Sequence, residues 1–227
     1  MLCKWEDLPA FMQTEAVRPY YDILKRHQAA LLVKRTFDFI MSTLLLLLLS
    51  PAFLILAVWI KFDSPGPVFY RQERVTQYGR VFRIYKFRTM VQDADKLGSL
   101  VTTGNDSRIT KAGQKLRGCR LDELPQLINI WKGEMSFVGT RPEVLKFVRA
   151  YTPNMMATLL LPAGVTSDAS IQYKDEHTLL ASADNIDDMY INQILPEKMK
   201  YNLKSMQHFC LFKELETMIK TILAVMK

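Results

Sequence analysis

An adjacent pair of acids, Asp122 and Glu123, lies between arginines in the chain. The surrounding stretch covers residues 117–142 and reads RGCRLDELPQLINIWKGEMSFVGTRP, with arginines at Arg117, Arg120 and Arg141. A carboxylate can attack phosphorus or hold a divalent metal ion, and arginine binds phosphate oxygens through paired hydrogen bonds. The residue types therefore point to phosphate chemistry, although acids at a helix start also occur simply to offset the helix dipole.

Apolar residues at helical spacing predict that a helix starts beside the acid pair. The stripe consists of Leu121, Leu124, Ile128 and Trp131. Pro125 is compatible with it because proline is tolerated in the first turn of a helix. Successive residues on a helix point about 100° apart, so we expect the two acids to have different surroundings and different roles.

A second group of cations lies upstream, on a predicted β-hairpin. Residues 68–75 and 81–89 read as strands on either side of a turn at 77–79. Alternation along the second strand places Lys86 and Arg88 on the face that also carries Phe82 and Ile84. Lys86 is then able to reach the acid pair, and a solvent-facing lysine is the alternative.

Three segments occur in the order and wording of one protein family: KFRTM at 86–90, LDELPQL at 121–127 and KGEMSFVGTRP at 132–142. On these motifs the chain resembles the bacterial sugar transferases, the monotopic phosphoglycosyl transferases, over residues 34–226. The resemblance implies transfer of a sugar 1-phosphate from a UDP-sugar to polyprenyl (undecaprenyl) phosphate, with release of UMP. That reaction would be the first membrane step in making a bacterial exopolysaccharide, capsule, O-antigen or glycoprotein glycan.

The resemblance also implies roles for single residues. Asp122 is expected to be the nucleophile of a covalent aspartyl-phosphosugar intermediate, with Glu123 assisting proton removal or metal placement. Mg²⁺ is the expected cofactor, held at these two acids. The expected phosphate-binding residues are Lys86, Arg88, Arg117 and Arg141, with Arg120 as a further candidate on position alone. Salt bridges within the fold are the alternative role for the arginines.

The chain departs from the family pattern in two places. The usual GPRP is GTRP here, so the turn before Arg141 is expected to be less rigid because Thr140 replaces a proline. The usual RPGITGWAQV segment appears as LPAGVTSDASIQYK at residues 161–174. These changes put the sugar and nucleotide contacts in doubt. Pro162 and Gly164 predict that a turn persists, and Lys174 is a candidate replacement for a basic residue of the family.

One uncharged segment indicates a membrane protein. Residues 39–60 carry no charge and include six consecutive leucines at 44–49, and about 20 apolar residues span the hydrocarbon core of a bilayer. Proline removes a helical hydrogen bond, so Ser50 and Pro51 predict a break, with the Ser50 hydroxyl as partner for the freed carbonyl of Leu47. Basic residues on both sides favour cytoplasmic ends.

These residues alone leave a re-entrant helix and a kinked spanning helix equally open, whereas the resemblance favours a re-entrant helix at residues 34–61. It implies the bacterial inner membrane, with the catalytic domain on the cytoplasmic face. Lys34 and Arg35 match the basic pair at the family's helix entry, where they would bind phospholipid or polyprenyl phosphate headgroups. Generic interfacial anchoring is the alternative for both.

The predicted fold class is α+β, with one small catalytic domain at residues 62–227 that contains the hairpin and several helices. The amphipathic segments at 1–33 and 208–227 either lie on the membrane surface or pack on the domain. A net charge of +7 favours anionic partners, and no nucleic-acid reading motif is present. A homo-oligomer is possible. The three Cys and three His residues are too scattered to suggest a zinc site or a His-based triad.

Two other functions compete with this prediction. A membrane glycosyltransferase would pass on only the sugar and release UDP instead of UMP. A non-catalytic, membrane-anchored binding protein is suggested by the divergent residues 161–174, while the intact acid pair argues against it.

Overall fold

The structure, a computed structural model, describes residues 2–94, 106–174, 176, 179 and 185–225. These residues combine helices with two separate two-stranded sheets. The mixed composition confirms the predicted combination of helices with a small amount of sheet.

The N-terminal segment packs on the rest of the domain. Two short 3₁₀ turns, Trp5–Asp7 and Ala10–Met12, lead into helix α1, Arg18–Arg26. The buried apolar side chains of this segment belong to the main hydrophobic cluster, and they are Leu2, Leu8, Met12, Val17, Tyr21 and Leu24. Packing on the domain was one of the two predicted alternatives for this extension, and it is the one found in the structure.

Two helices, α2 (Gln28–Leu48) and α3 (Ser50–Asp63), contain the uncharged segment and meet at an angle of 61°. The Ser50 hydroxyl donates a 2.8 Å hydrogen bond to the Leu47 carbonyl, which confirms the predicted partner. Within the described residues no single helix has the length and apolarity to cross a membrane, whereas this bent pair meets the requirement by length and composition.

The predicted hairpin is confirmed with slightly shorter strands. Strands β1 (Phe69–Val75) and β2 (Val81–Phe87) pair antiparallel, with Tyr70 opposite Lys86. The strand after the turn ends at Phe87, although the Arg88 amide still donates a 2.9 Å hydrogen bond to the Val68 carbonyl.

The helix predicted at the acid pair begins later than expected. Helix α4 (Lys111–Gly118) is followed by a single 3₁₀ turn, Leu121–Glu123, and only then by helix α5, Gln126–Lys132. Arg120 precedes the turn with a left-handed φ of 56°, which separates α4 from it.

The predicted apolar stripe is confirmed only at its start, where Leu121 and Leu124 pack on a small hydrophobic cluster. Helix α5 instead buries Gln126, Leu127, Asn129 and Ile130, while Trp131 is exposed. This helix packs against both α2 and β2.

The second sheet pairs β3 (Met135–Val138) in parallel with β4 (Ala163–Thr166). Helix α6 (Leu145–Val148) and a 3₁₀ segment, Met155–Leu160, lie between these strands in the chain, and helix α7 (Asp168–Gln172) follows them. A Cβ atom on Gly164 would lie 2.1 Å from the amide nitrogen of Gly139. The divergent segment thus keeps its glycine because two backbones meet there.

The C-terminal part is helical. Helix α8 (Ile186–Met189), a π-helical segment (Tyr190–Ile194) and helix α9 (Leu195–Gln207) run consecutively, and α10 covers Leu211–Val225. Helix α10 leaves several large apolar side chains exposed, namely Phe212, Leu215, Ile219, Ile222 and Leu223. The described part of the predicted amphipathic tail is therefore only partly covered by the domain.

Candidate active site

The Asp122 carboxyl group faces a cavity of about 400 Å³. Most of the charged side chains around it are cationic, and the charged set consists of Arg71, Arg74, Lys86, Arg88, Asp93, Arg108, Arg117 and Asp122. Because so many cations share one cavity, an anionic ligand with more than one phosphate group fits its charge.

Glu123 is not among the residues that line this cavity, and its carboxylate is bound by two cations. Its Oε1 atom accepts hydrogen bonds from Lys86 Nζ at 2.7 Å and from Arg141 Nη2 at 2.5 Å. Burial raises the pKa of Glu123, but the charges of Arg141 and Lys86 outweigh burial and hold that pKa well below its usual value. Glu123 is therefore a fixed negative charge.

Asp122 has the opposite environment. Only 9% of the residue is exposed, and no hydrogen bond or ion pair joins its carboxylate to another described residue. Burial raises the pKa of Asp122, and the charge of Lys86 only partly offsets this. A carboxylate that is desolvated, without a partner and open to a cationic cavity has the character of a nucleophile.

The turn carrying the acids is fixed to the hairpin by Asn129. This fully buried side chain accepts a 2.8 Å hydrogen bond from the Tyr85 amide and donates one of 3.0 Å to the Arg83 carbonyl. It therefore holds α5 beside the strand that carries Lys86. Neither a motif nor a periodicity indicated this role, because Asn129 and its partners are more than 40 positions apart.

Two of the predicted phosphate-binding arginines also line the cavity. Arg117 donates a 2.9 Å hydrogen bond from Nε to the Thr89 hydroxyl, and Arg88 donates from Nη2 to the Ser64 carbonyl at 2.6 Å. Arg88 is 5% exposed, and its Nε and Nη1 atoms have no hydrogen-bond partner among the described residues. Gly66 makes room for it, since a Cβ atom there would lie 2.2 Å from Nη1 of Arg88.

Three cavity-lining arginines were missed by the sequence reasoning: Arg71, Arg74 and Arg108. The hairpin pattern contained a signal for Arg74, because that residue pairs with Phe82 and lies on the strand face that carries Lys86. Arg108 forms an ion pair with Asp106 at 2.6 Å, which neither the motifs nor the periodicity indicated.

The family model for bacterial sugar transferases matches residues 29–227. The chain belongs to the bacterial sugar transferase family. It is 34% identical over 197 residues to the UDP-N-acetylgalactosamine-undecaprenyl-phosphate N-acetylgalactosaminephosphotransferase of Aeromonas hydrophila, covering 86% of this chain and 44% of that protein.

Two further relatives differ in how much of their length is matched. The UDP-glucose:undecaprenyl-phosphate glucose-1-phosphate transferase of Escherichia coli (strain K12) is 41% identical over 144 residues, covering 62% of this chain and 31% of that protein. The exopolysaccharide production protein ExoY of Rhizobium meliloti (strain 1021) is 32% identical over 228 residues, covering 94% and 90%. The chain thus spans less than half of the first two relatives and most of the third.

Lys34 and Arg35, the basic pair at the family's helix entry, contact protein atoms here. Lys34 is buried, and its Nζ donates to the Val138 carbonyl at 2.9 Å and to Glu214 at 2.6 Å. Arg35 donates from Nη1 to the Ile130 carbonyl at 2.7 Å. The pair therefore fastens α2 to β3, α5 and α10, and headgroup binding stays a prediction.

Arg120 contacts the acid pair through its backbone, since its carbonyl accepts a 3.4 Å hydrogen bond from the Glu123 amide, while its side chain contacts the divergent segment. Its Nη2 atom donates to the carbonyl of Lys174 at 3.1 Å. Arg120 and Lys174 are therefore neighbours, and the hydrogen bond between them uses the backbone of the divergent segment.

Among the described residues there is no group of three or more His, Cys, Asp or Glu side chains that would hold a metal ion. Mg²⁺ needs fewer protein ligands than such a group provides, since this ion is commonly bound by one or two carboxylates together with substrate phosphates. The acid pair fits that requirement. Asp122 offers oxygens without hydrogen-bond partners, and Glu123 Oε2 has only a 3.4 Å contact to Arg141. The acid pair is thus able to share such an ion with a phosphate ligand.

Proposed function

We propose that this protein is a phosphoglycosyl transferase that moves a sugar 1-phosphate from a UDP-sugar to undecaprenyl phosphate. The observation that carries this proposal is the contrast within the acid pair. Asp122 is without a partner on a cationic cavity, and Glu123 is held ionised by Lys86 and Arg141. The names of the relatives, which include undecaprenyl-phosphate sugar phosphotransferases, support the same substrates.

In the first step a carboxylate oxygen of Asp122 attacks the phosphorus that bears the sugar. The new bond makes an acyl phosphate on the enzyme, and the bond to the bridging oxygen breaks, so UMP leaves with that electron pair. Lys86 and Arg117 lie on the cavity to stabilise the negative charge of the two phosphate groups. Mg²⁺ at the acid pair would supply further charge neutralisation for the phosphates.

In the second step a phosphate oxygen of undecaprenyl phosphate attacks the same phosphorus. The bond to Asp122 breaks, and the carboxylate is restored as the diphosphate-linked sugar leaves. Two successive displacements let one cavity serve two anionic substrates in turn, because each meets the enzyme without the other. Ping-pong kinetics are the expected signature.

The membrane location belongs to the same proposal. The bent pair α2–α3 exposes large apolar side chains, among them Leu47, Leu48, Leu54, Ile55 and Phe62. Together with the exposed stripe of α10, these residues favour insertion in the inner membrane, where the acceptor resides. The catalytic domain would face the cytoplasm, which supplies nucleotide sugars. The exposed apolar side chains of α2, α3 and α10 would contact phospholipid. Self-association is a further prediction.

The decisive experiment is nucleotide release by purified full-length protein in detergent with undecaprenyl phosphate, Mg²⁺ and a panel of UDP-sugars. We expect UMP with at least one sugar, no UMP from Asp122→Asn, and normal release from Asp22→Asn. The control removes a solvent-accessible carboxylate whose ion pair within the described part of the chain is with Arg18.

Other products would identify the competing functions. Release of UDP would show a glycosyltransferase that passes on the sugar alone. Binding of UDP-sugar without release of either nucleotide would show a non-catalytic binding protein, and full activity of Asp122→Asn would remove the nucleophile assignment.

A further inference from the structure

We propose that a buried cluster of Glu143, Tyr190 and Lys198 positions Arg141 against Glu123. Its members act through Arg141 and are positioning residues. Their catalytic importance rests on the proposed function, whereas their effect on the geometry of the Arg141 turn does not.

The cluster begins two residues after Arg141. The Glu143 carboxylate is almost fully buried and accepts a 2.5 Å hydrogen bond from the Tyr190 hydroxyl. The Lys198 ammonium lies 3.8 Å from Glu143 and donates a 3.0 Å hydrogen bond to the same hydroxyl. Tyr190 therefore links the acid to the base, and α9 to the turn.

The charges of the cluster are balanced within the protein. Lys198 is also paired with Glu176 at 2.7 Å, and Arg74 lies 4.0 Å from Glu143. A buried charge that loses its partner is strongly destabilising, so each member restricts where the others can lie. This makes the cluster a rigid support instead of a flexible surface ion pair.

The backbone on both sides of Arg141 is held as well. Before it, the Thr140 carbonyl accepts a 2.8 Å hydrogen bond from the Gly164 amide. After it, the Pro142 carbonyl accepts one of 3.1 Å from Arg74, and the Glu143 carbonyl accepts one of 2.9 Å from the Val75 amide. Arg141 is thus fixed between two anchored segments.

This arrangement answers a question raised by the sequence. Thr140 stands where the family pattern has proline, and threonine lacks the ring that restricts φ. The side-chain cluster at Glu143, two residues past Arg141, adds to the restraint from these backbone hydrogen bonds and compensates for the missing proline ring. Arg141 then keeps the geometry needed for its 2.5 Å contact with Glu123.

The test compares Tyr190→Phe with Tyr151→Phe. Both tyrosines are buried in the same hydrophobic cluster, but no described hydrogen bond involves the Tyr151 side chain, whereas Tyr190 links Glu143 to Lys198. Hydrogen–deuterium exchange at the amides of Gly164 and Val75, which donate to the carbonyls of Thr140 and Glu143, should become about tenfold faster in Tyr190→Phe, because a hydrogen bond to a charged group is lost. Tyr151→Phe should leave that exchange unchanged.

A second readout separates positioning from general loosening of the fold. If Arg141 moves away, Glu123 loses its 2.5 Å contact with that arginine. The kcat for UMP release should therefore fall about tenfold in Tyr190→Phe with the KM for the UDP-sugar unchanged, and neither constant should change in Tyr151→Phe. Should Tyr190→Phe fail to fold, Glu143→Gln removes the charge with little change in shape and is measured instead.

The outcomes distinguish the two proposals. If the wild-type protein releases no UMP but exchange is faster in Tyr190→Phe, the result would support the positioning cluster and count against the proposed function. Normal UMP release by Tyr190→Phe together with unchanged exchange would overturn the cluster and leave the function standing. Equal effects of both tyrosine variants would also overturn it.

Discussion

Lys86 and Glu123 form a 2.7 Å ion pair in which both side chains are mostly buried, 21% and 15% exposed. The pair connects strand β2 to the turn of the acid pair. Burial lowers the pKa of Lys86, and the charge of Glu123 counteracts this. The two residues thus maintain each other's charge beside a neighbour, Asp122, that has no such support.

Replacing Lys86 with methionine tests this relationship. Lys86→Met keeps the length and apolar stem of the side chain but removes a cation from both Glu123 and the cavity. UMP release should fall about 100-fold in kcat/KM, the usual scale for losing one electrostatic contact to a developing charge. Lys111→Met, which alters an exposed lysine at the start of α4, is the control, and near-normal activity of Lys86→Met would contradict the assignment.

The unpartnered state of Asp122 should carry a cost in stability. Burial raises the pKa of this carboxyl group. The ionised form is therefore less favourable in the folded protein than in the unfolded chain, and this difference lowers the free energy of unfolding at neutral pH. Asp122→Asn should therefore raise the Tm at pH 7 by about 2 °C while it abolishes turnover. Differential scanning calorimetry measures this, and a lower Tm than wild type would count against a strained, functional carboxylate.

Glu123 should make the opposite contribution to stability. Its folded-state pKa is held well below the ordinary value of 4.5, so its stabilisation is fully present above pH 4.5 and is lost as the pH falls further. Urea midpoints for the wild type should decline in that range more steeply than those for Glu123→Gln. Parallel pH profiles for the two proteins would show that Lys86 and Arg141 do not stabilise the ionised acid.

The contact between β3 and β4 depends on a missing side chain. Gly164→Ala would place a Cβ atom 2.1 Å from the Gly139 nitrogen, and the resulting overpacking should cost about 2 kcal/mol of unfolding free energy. Gly118→Ala is the matched control, since nothing lies within 4 Å of its new Cβ atom. Equal urea midpoints for the two variants would mean that the strands adjust at little cost.

The features predicted correctly from the sequence are those that depend on neighbours in the chain. Alternation gave the hairpin, and the Ser50 hydroxyl reaches a carbonyl three residues away. The different surroundings of Asp122 and Glu123 also followed from a local rule, even though they lie in a 3₁₀ turn and not in the predicted helix.

The remaining features depend on contacts between distant parts of the chain. Asn129 is a buried polar residue whose partners lie on another element, and the link from Glu143 to Tyr190 spans 47 positions. Lys34 looked like an interfacial residue because it precedes an apolar run, yet its partner Glu214 is 180 positions away. No periodicity or motif encodes such pairings, because they arise only when the helices pack.

Arg88 makes the end of α3 part of the cavity wall, because one guanidinium both holds the Ser64 carbonyl and lines the space beside Asp122. A movement of the C-terminal end of α3 therefore also moves the positive charge of Arg88. If α3 lies in a bilayer as proposed, a change in bilayer thickness that tilts this helix displaces a positive charge in the substrate cavity. Lipid composition would then be a physical variable of turnover, acting through a single side chain and without any ligand.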